Sequence, residues 1–326
     1  MLRPMSNGEA LDLALRSFRA VGAPILRLSA VPTLFCYLVL VFFSVFVAPG
    51  LFWTKDPQSL SVQAGEVAFV FAMALFVAFP LFMLGISYTS GLVTRLVSDF
   101  ILGNQPDEVS ATSNARQSLF TMSWASLLTI ATALLIIGTS FTLLFLSAYL
   151  EPLTNETNAW PAVVAFVASV GLVVGFLAFP VTLSTQALAP AAVVLEGLRG
   201  RFATRRSRFL MKAGPFQEAG SGKMVMLWLV SIFIFLAIYL GTTMAFEIVN
   251  IDGFIDGWLG IGNLSQIAHR MVGMLPFYLS LWILIPLWAA TTTIIYYDRR
   301  IRLEGYDIEV LSMDARRTSR QSRFQI

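Results

Sequence analysis

The chain has 326 residues, 57% of them hydrophobic and only 13% charged, about half the charged share of an ordinary soluble domain (about 25%). With 22 Lys and Arg, 19 Asp and Glu, one His and one Cys, the composition excludes a soluble globular protein, an internal disulfide and a multi-cysteine metal site. It points to an all-α, polytopic membrane protein.

Residues 1–27 read as a cytoplasmic amphipathic segment. Arg3, Arg16, Arg19 and Arg27 leave no compact apolar run of the kind a cleaved signal needs. Ser6-Asn7-Gly8-Glu9 has the form of a capping box, in which the serine hydroxyl and the glutamate satisfy each other's backbone amides. Leu11, Leu15, Phe18 and Val21 or Gly22 then recur at helical spacing, and Pro24 is expected to end this helix.

Residues 28–297 read as a six-span membrane domain. The spans are expected near 28–49, 67–94, 119–149, 160–188, 224–246 and 271–297, all free of Asp, Glu, Lys, Arg and His. About 20 apolar residues suffice to cross a hydrocarbon core of about 30 Å. Residues 298–326 form an Arg-rich cytoplasmic tail. Of the 22 basic residues, 20 fall in the two tails and the loops 95–118 and 189–223, so the positive-inside rule places both termini in the cytoplasm. Trp53 and Trp160 at outer span ends, and Trp124, Trp228, Tyr296 and Tyr297 at inner ends, suit aromatic belts at the headgroup level.

Three basic segments resemble one another and each precedes a pair of spans. They centre on Ser17, Ser118 and Ser207, and each is expected to form an amphipathic helix lying in the inner interface. The third is the most basic, with Arg199, Arg201, Arg205, Arg206, Arg208 and Lys212 interleaved with Phe202, Phe209 and Leu210. Each basic residue near an anionic leaflet contributes about 1 kcal/mol. These six residues are therefore the expected headgroup- or partner-binding set, joined by the tail arginines.

Nothing in the chain assembles as chemistry. Cys36, inside the first span, reads as a small apolar filler. On the outer side Glu247, Asp252, Asp256 and His269 share one loop, but Asp252-Gly253 and Asp256-Gly257 read equally as turns. No catalytic, metal or cofactor-binding residue is expected, and Asn155-Glu156-Thr157 is read as an idle glycosylation sequon. The spans hold no ionisable group for ion coupling. Their Gly171 and Gly175 suit a close helix contact.

Three segments resemble a known family. Pro190-Ala-Ala-Val-Val-Leu-Glu-Gly197 with Arg205-Arg206-Ser207, Tyr296 to Asp307, and Leu2 to Asp12 are similar to stretches of bacterial six-span proteins labelled the membrane domain of glycerophosphoryl diester phosphodiesterase. That resemblance implies a bacterial inner-membrane protein. The phosphodiesterases carry catalysis on a separate soluble barrel, for which this chain has no counterpart, so no catalytic residue carries over.

The function expected is a non-catalytic membrane scaffold or accessory subunit. Its partners would be anionic inner-leaflet lipids and a cytoplasmic or membrane protein, and not nucleic acid. The alternative is a carrier or flippase for lipid-like molecules through spans 2, 4 and 6. It would need a cavity near Pro80, Gly175, Pro180 and Pro286.

Overall fold

A computed structural model describes residues 5–47, 73–150, 160–212, 220–260 and 263–305, and these residues are all-helical, with no strand among them. Ten α-helices follow one another: α1 (Asn7–Phe42), α2 (Phe79–Ile101), α3 (Glu108–Leu150), α4 (Trp160–Gln186), α5 (Ala189–Glu196), α6 (Gly200–Lys212), α7 (Gly220–Val249), α8 (Ile251–Leu259), α9 (Asn263–Gly273) and α10 (Leu275–Glu304). Short π-helical turns at Phe43–Val47 and Ala74–Ala78 extend α1 and precede α2.

Four helical stretches are long and apolar enough to cross a membrane, within Gly8–Val45, Phe76–Ile101, Gly222–Val249 and Leu264–Glu304. A fifth is reached if Val181–Glu196 and Gly200–Lys212, bent by 120° at their junction, count as one. Large side chains such as Phe166, Val170, Val173, Phe233, Leu236 and Leu240 are exposed on α4 and α7. In water such surfaces would drive aggregation, whereas in lipid they are the expected outer face.

The capping box forms as the sequence pattern indicates: Ser6 N–H donates to Glu9 Oε2 at 2.8 Å and Glu9 N–H to Ser6 Oγ at 3.3 Å. The expected stop at Pro24 does not occur, because α1 runs through both Pro24 and Pro32 for 36 residues, about 54 Å. Tertiary packing overrides the local stop signal, since Val21 and Ile25 on either side of Pro24 are buried among residues of α2, α3 and α10. Extra donors lie along the same stretch: Ser29 Oγ and Trp282 Nε1 donate to Leu26 O, and Thr33 Oγ1 to Ser29 O.

The first of the three expected interfacial helices is thus continuous with the apolar stretch after it, inside α1. Its buried stripe is Ala10, Ala14, Ser17, Val21 and Ile25, packed with Leu92, Leu96, Ala111, Ala115 and Ile294 from α2, α3 and α10. Small residues let those helices approach, while Leu15 stays exposed. The second segment, around Ser118, is likewise continuous with the 43-residue α3. Only the third is a separate short helix, α6. The three serines also differ: Ser17 and Ser207 are fully buried and Ser118 is half-buried.

Two close contacts pair helices. A Cβ on Gly175 would sit 2.6 Å from Ile137 Cγ1, and one on Gly171 would strike Ser140 Oγ. The rising partner numbers against falling ones make α3 and α4 antiparallel. Cys36 is buried between α1 and α2, its Sγ 3.5 Å from Phe82 O. Trp53, the loop 50–66 and the tail beyond Gly305 lie outside the described residues.

Gly175→Leu should overpack the α3–α4 contact and lower stability in detergent by about 1–3 kcal/mol. Gly241→Leu, with nothing near its would-be Cβ, is the control and should melt with the wild type in a thermal shift series.

Candidate functional site

The charged residues gather at the end of the bundle where α10 finishes. Asp298 is 0% exposed there. Its Oδ1 accepts from the Met5 backbone N–H at 2.7 Å, and its Oδ2 pairs with Lys223 Nζ at 2.5 Å. Arg302, one turn on, donates to both carboxylate oxygens. Lys223 and Arg302 also donate to Met5 O, at 2.9 and 2.8 Å. A buried charge costs several kcal/mol unless paired and hydrogen-bonded, and Asp298 is satisfied on both counts. The start of α1, the start of α7 and the end of α10 therefore meet at one carboxylate.

The same end of α10 also fastens α5 and α6. Arg299, 1% exposed, donates from Nε to Leu210 O at 2.8 Å, satisfying a carbonyl in the last turn of α6. Arg206 forks onto Glu196 at 3.0–3.2 Å and onto Glu304 at 2.8 Å. Burial opposes the charge of its guanidinium, but the hydrogen bonds it donates to Glu304 and Glu196 outweigh it and hold the pKa above its ordinary value. Tyr296 O–H donates to Glu196, and Arg300 pairs with Glu304 at 3.1 Å. Ser207 completes the clamp, accepting from Leu188 N–H at 3.1 Å and donating to Thr185 O at 3.2 Å.

These contacts sort the six basic residues of the third segment. Arg206 is consumed internally, whereas Arg199, Arg201, Arg205, Arg208 and Lys212 are exposed. None of the five has a carboxylate partner among the described residues. On a helix of 3.6 residues per turn, 201, 205, 208 and 212 fall on one stripe, with Phe202 and Phe209 along its flank. The opposite side, carrying Ala203, Ser207, Leu210 and Met211, is buried against the bundle. Arg299, Arg300 and Arg302 of the expected binding tail are structural too. Arg316, Arg317, Arg320 and Arg323 lie outside the described residues.

The aromatic belt needs correction in part. Trp124 and Trp160 are exposed, but Tyr296 and Tyr297 are buried, the second bonded to Ser98 Oγ at 2.7 Å. Trp228 packs edge-on against Trp288 at 5.1 Å between ring centroids. A position at a span end does not say whether a ring faces lipid or a neighbouring helix.

At the far end, α8 and α9 are bridged by the single histidine. His269 Nδ1 lies 2.8 Å from Asp252 Oδ1 and Nε2 lies 2.9 Å from Asp256 Oδ1, while Ser265 Oγ donates to Asp256 at 2.6 Å. Both ring nitrogens are engaged, and among the described residues no three metal-binding groups converge. Beside this bridge a cleft of about 320 Å³ is lined by Tyr239, Thr243, Glu247, Asn250 and Asp252.

Comparison with known proteins gives no matching family model, no matching curated protein and no matching solved structure. Within the chain itself, residues from the segments 2–12, 190–207 and 296–307 meet in space at the end of α10. Met5 comes from the first, Glu196 and Arg206 from the second, and Tyr296, Asp298 and Glu304 from the third.

The histidine bridge has a defined pH response. Hydrogen bonds to Asp256 and then Asp252 hold the His269 pKa above its ordinary 6.5, and Ser265 and then His269 hold Asp256 below 3.8. The histidine's contribution to the α8–α9 contact is thus full below pH 6.5 and lost as pH rises through its raised pKa. The Asp256 contribution is present above pH 3.8 and lost on acidification through its lowered pKa. An NMR titration of this lone imidazole should give a midpoint above 6.5, and Asp252→Asn/Asp256→Asn should bring it down; an unshifted wild-type midpoint would contradict the bridge.

Proposed function

We propose that the chain is a six-span protein of the bacterial inner membrane with both termini cytoplasmic, and that it acts as a non-catalytic scaffold or accessory subunit. On this reading the basic ridge of α6 docks an acidic surface of a partner protein. The observation that carries it is the division among the arginines. Arg206 clamps α6 to α5 and α10, and the clamped helix presents Arg201, Arg205, Arg208 and Lys212 in one exposed row. A ridge already held in place loses little conformational entropy on binding, and rows of like charge steer a complementary partner.

Six spans are supported by the apolar length of α1, α2, α7 and α10 together with the antiparallel contact of α3 and α4. The excess of basic residues on the α6 side supports a cytoplasmic assignment for that end. The resemblance to the phosphodiesterase membrane domain supports the bacterial inner membrane. The carrier alternative is not favoured by the two large clefts among the described residues, which Pro80, Gly175 and Pro286 do not line. Gly175 is filled by Ile137, Pro286 is buried, and the clefts of about 320 and 480 Å³ are lined by other residues.

A pull-down from native membranes in gentle detergent tests the docking face. Arg205→Ala/Arg208→Ala, which leaves the Arg206 clamp intact, should lose a stoichiometric acidic partner that the wild type retains at low salt and releases at high salt. Equal retention by both proteins, or lipid alone in both, would remove the docking reading.

A further inference from the structure

A second feature of the basic end lies outside the clamp and shares only Arg201 with the ridge. Phe120 and Trp124 on α3 face Arg199, Gly200, Arg201 and Phe202 across an open groove of about 480 Å³. That volume lies within the range of small-ligand clefts, roughly 300–1,000 Å³. The groove stays open because of Gly200. Its φ of +39° is a conformation side chains resist, and a Cβ there would come within 3.2 Å of Trp124 Cδ1. Phe120, Trp124 and Phe202 are all more than half exposed.

The chemistry of the groove is amphiphilic. Arg199 and Arg201 have no carboxylate partner among the described residues, and Glu196 and Glu304 are taken by Arg206 and Arg300. Guanidinium groups bind phosphate oxygens in a two-pronged fashion. Leu135, eleven residues on from Trp124, falls on the same side of α3 and is also exposed. Eleven residues cover about 16 Å, the hydrocarbon depth of one leaflet, about 15 Å.

We infer that this groove binds one anionic phospholipid of the inner leaflet. Arg199 and Arg201 hold its phosphodiester, the three aromatic rings cover the glycerol and first acyl carbons, and a chain lies along α3 toward Leu135. Charge complementarity selects the anionic headgroup over a zwitterionic one, whose ammonium the two arginines repel. The inference deepens the docking reading in naming a lipid as part of the same basic end. It rests on that reading only for the leaflet.

Native mass spectrometry of the full chain in micelles, titrated with dioleoyl-phosphatidylglycerol or dioleoyl-phosphatidylcholine, decides it. The wild type should retain one phosphatidylglycerol in preference to phosphatidylcholine. Arg199→Gln/Arg201→Gln should weaken that retention about tenfold or more. Gly200→Leu, which fills the groove without removing charge, should weaken it as well, and Arg205→Gln/Arg208→Gln should not. Circular dichroism melts identify any variant that has lost its fold, and the groove is then judged on the remaining one. Equal retention of the two lipids, an unaffected arginine pair, or displacement of the lipid by millimolar inorganic phosphate would overturn the site. Micelles have no sidedness and hold no partner protein, and both groove variants keep Arg205, Arg208 and Lys212 of the ridge, so failure here leaves the docking reading standing. A failed pull-down likewise leaves the lipid site standing.

Discussion

A carboxylate at 0% exposure, Asp298, is the constraint on which the arrangement of helices depends. Burying an ionised group alone costs several kcal/mol, so Asp298 has to bring its partners with it. It does so from three parts of the chain: the Met5 amide, the Lys223 ammonium and the Arg302 guanidinium. Lipid-facing helices gain nothing from hiding apolar surface against one another, because the surrounding tails are equally apolar. A polar knot at one end therefore does what a hydrophobic core does in water, and selects one arrangement of α1, α7 and α10.

The knot also decides which charges remain available. The end of α10 supplies Arg299 to α6, Glu304 to Arg206, and Tyr296 to Glu196. These contacts engage Glu196 and Glu304, and among the described residues no carboxylate pairs with the other basic residues of this segment. Arg199, Arg201, Arg205, Arg208 and Lys212 are left on the surface of a helix that cannot easily reorient. Structure and proposed function are linked at this step: the internal ion pairs hold α6 still, and its unpaired arginines face outward.

Much of the membrane character was legible in the chain. Helices α1, α2, α7 and α10 are readable because length and apolarity suffice to mark them, and the Ser6–Glu9 box because its partners are three residues apart. Pro24 misled because the packing of Val21 and Ile25 against neighbouring helices, invisible to a local stop signal, carries the helix through it. Arg206 was indistinguishable from its neighbours, since Glu304 lies 98 residues away in sequence. The pairing of Met5 with Asp298, 293 residues apart, left no local trace either. Charges at span ends look like topology signals whether they face headgroups or each other. Lys223, at the start of α7, likewise gave no sign that it pairs with Asp298, 75 residues on.

The most direct test of this account is a double-mutant cycle at the knot, read as thermal and denaturant stability in detergent for Lys223→Met, Asp298→Leu and the pair together. Each single change leaves a buried charge short of its partner and should be strongly destabilising. The double variant should lose less than the sum of the two singles but stay below the wild type, since Arg302 and the Met5 amide still miss the carboxylate. Additive losses in the double variant, or singles that melt with the wild type, would contradict the claim that this ion pair organises the bundle.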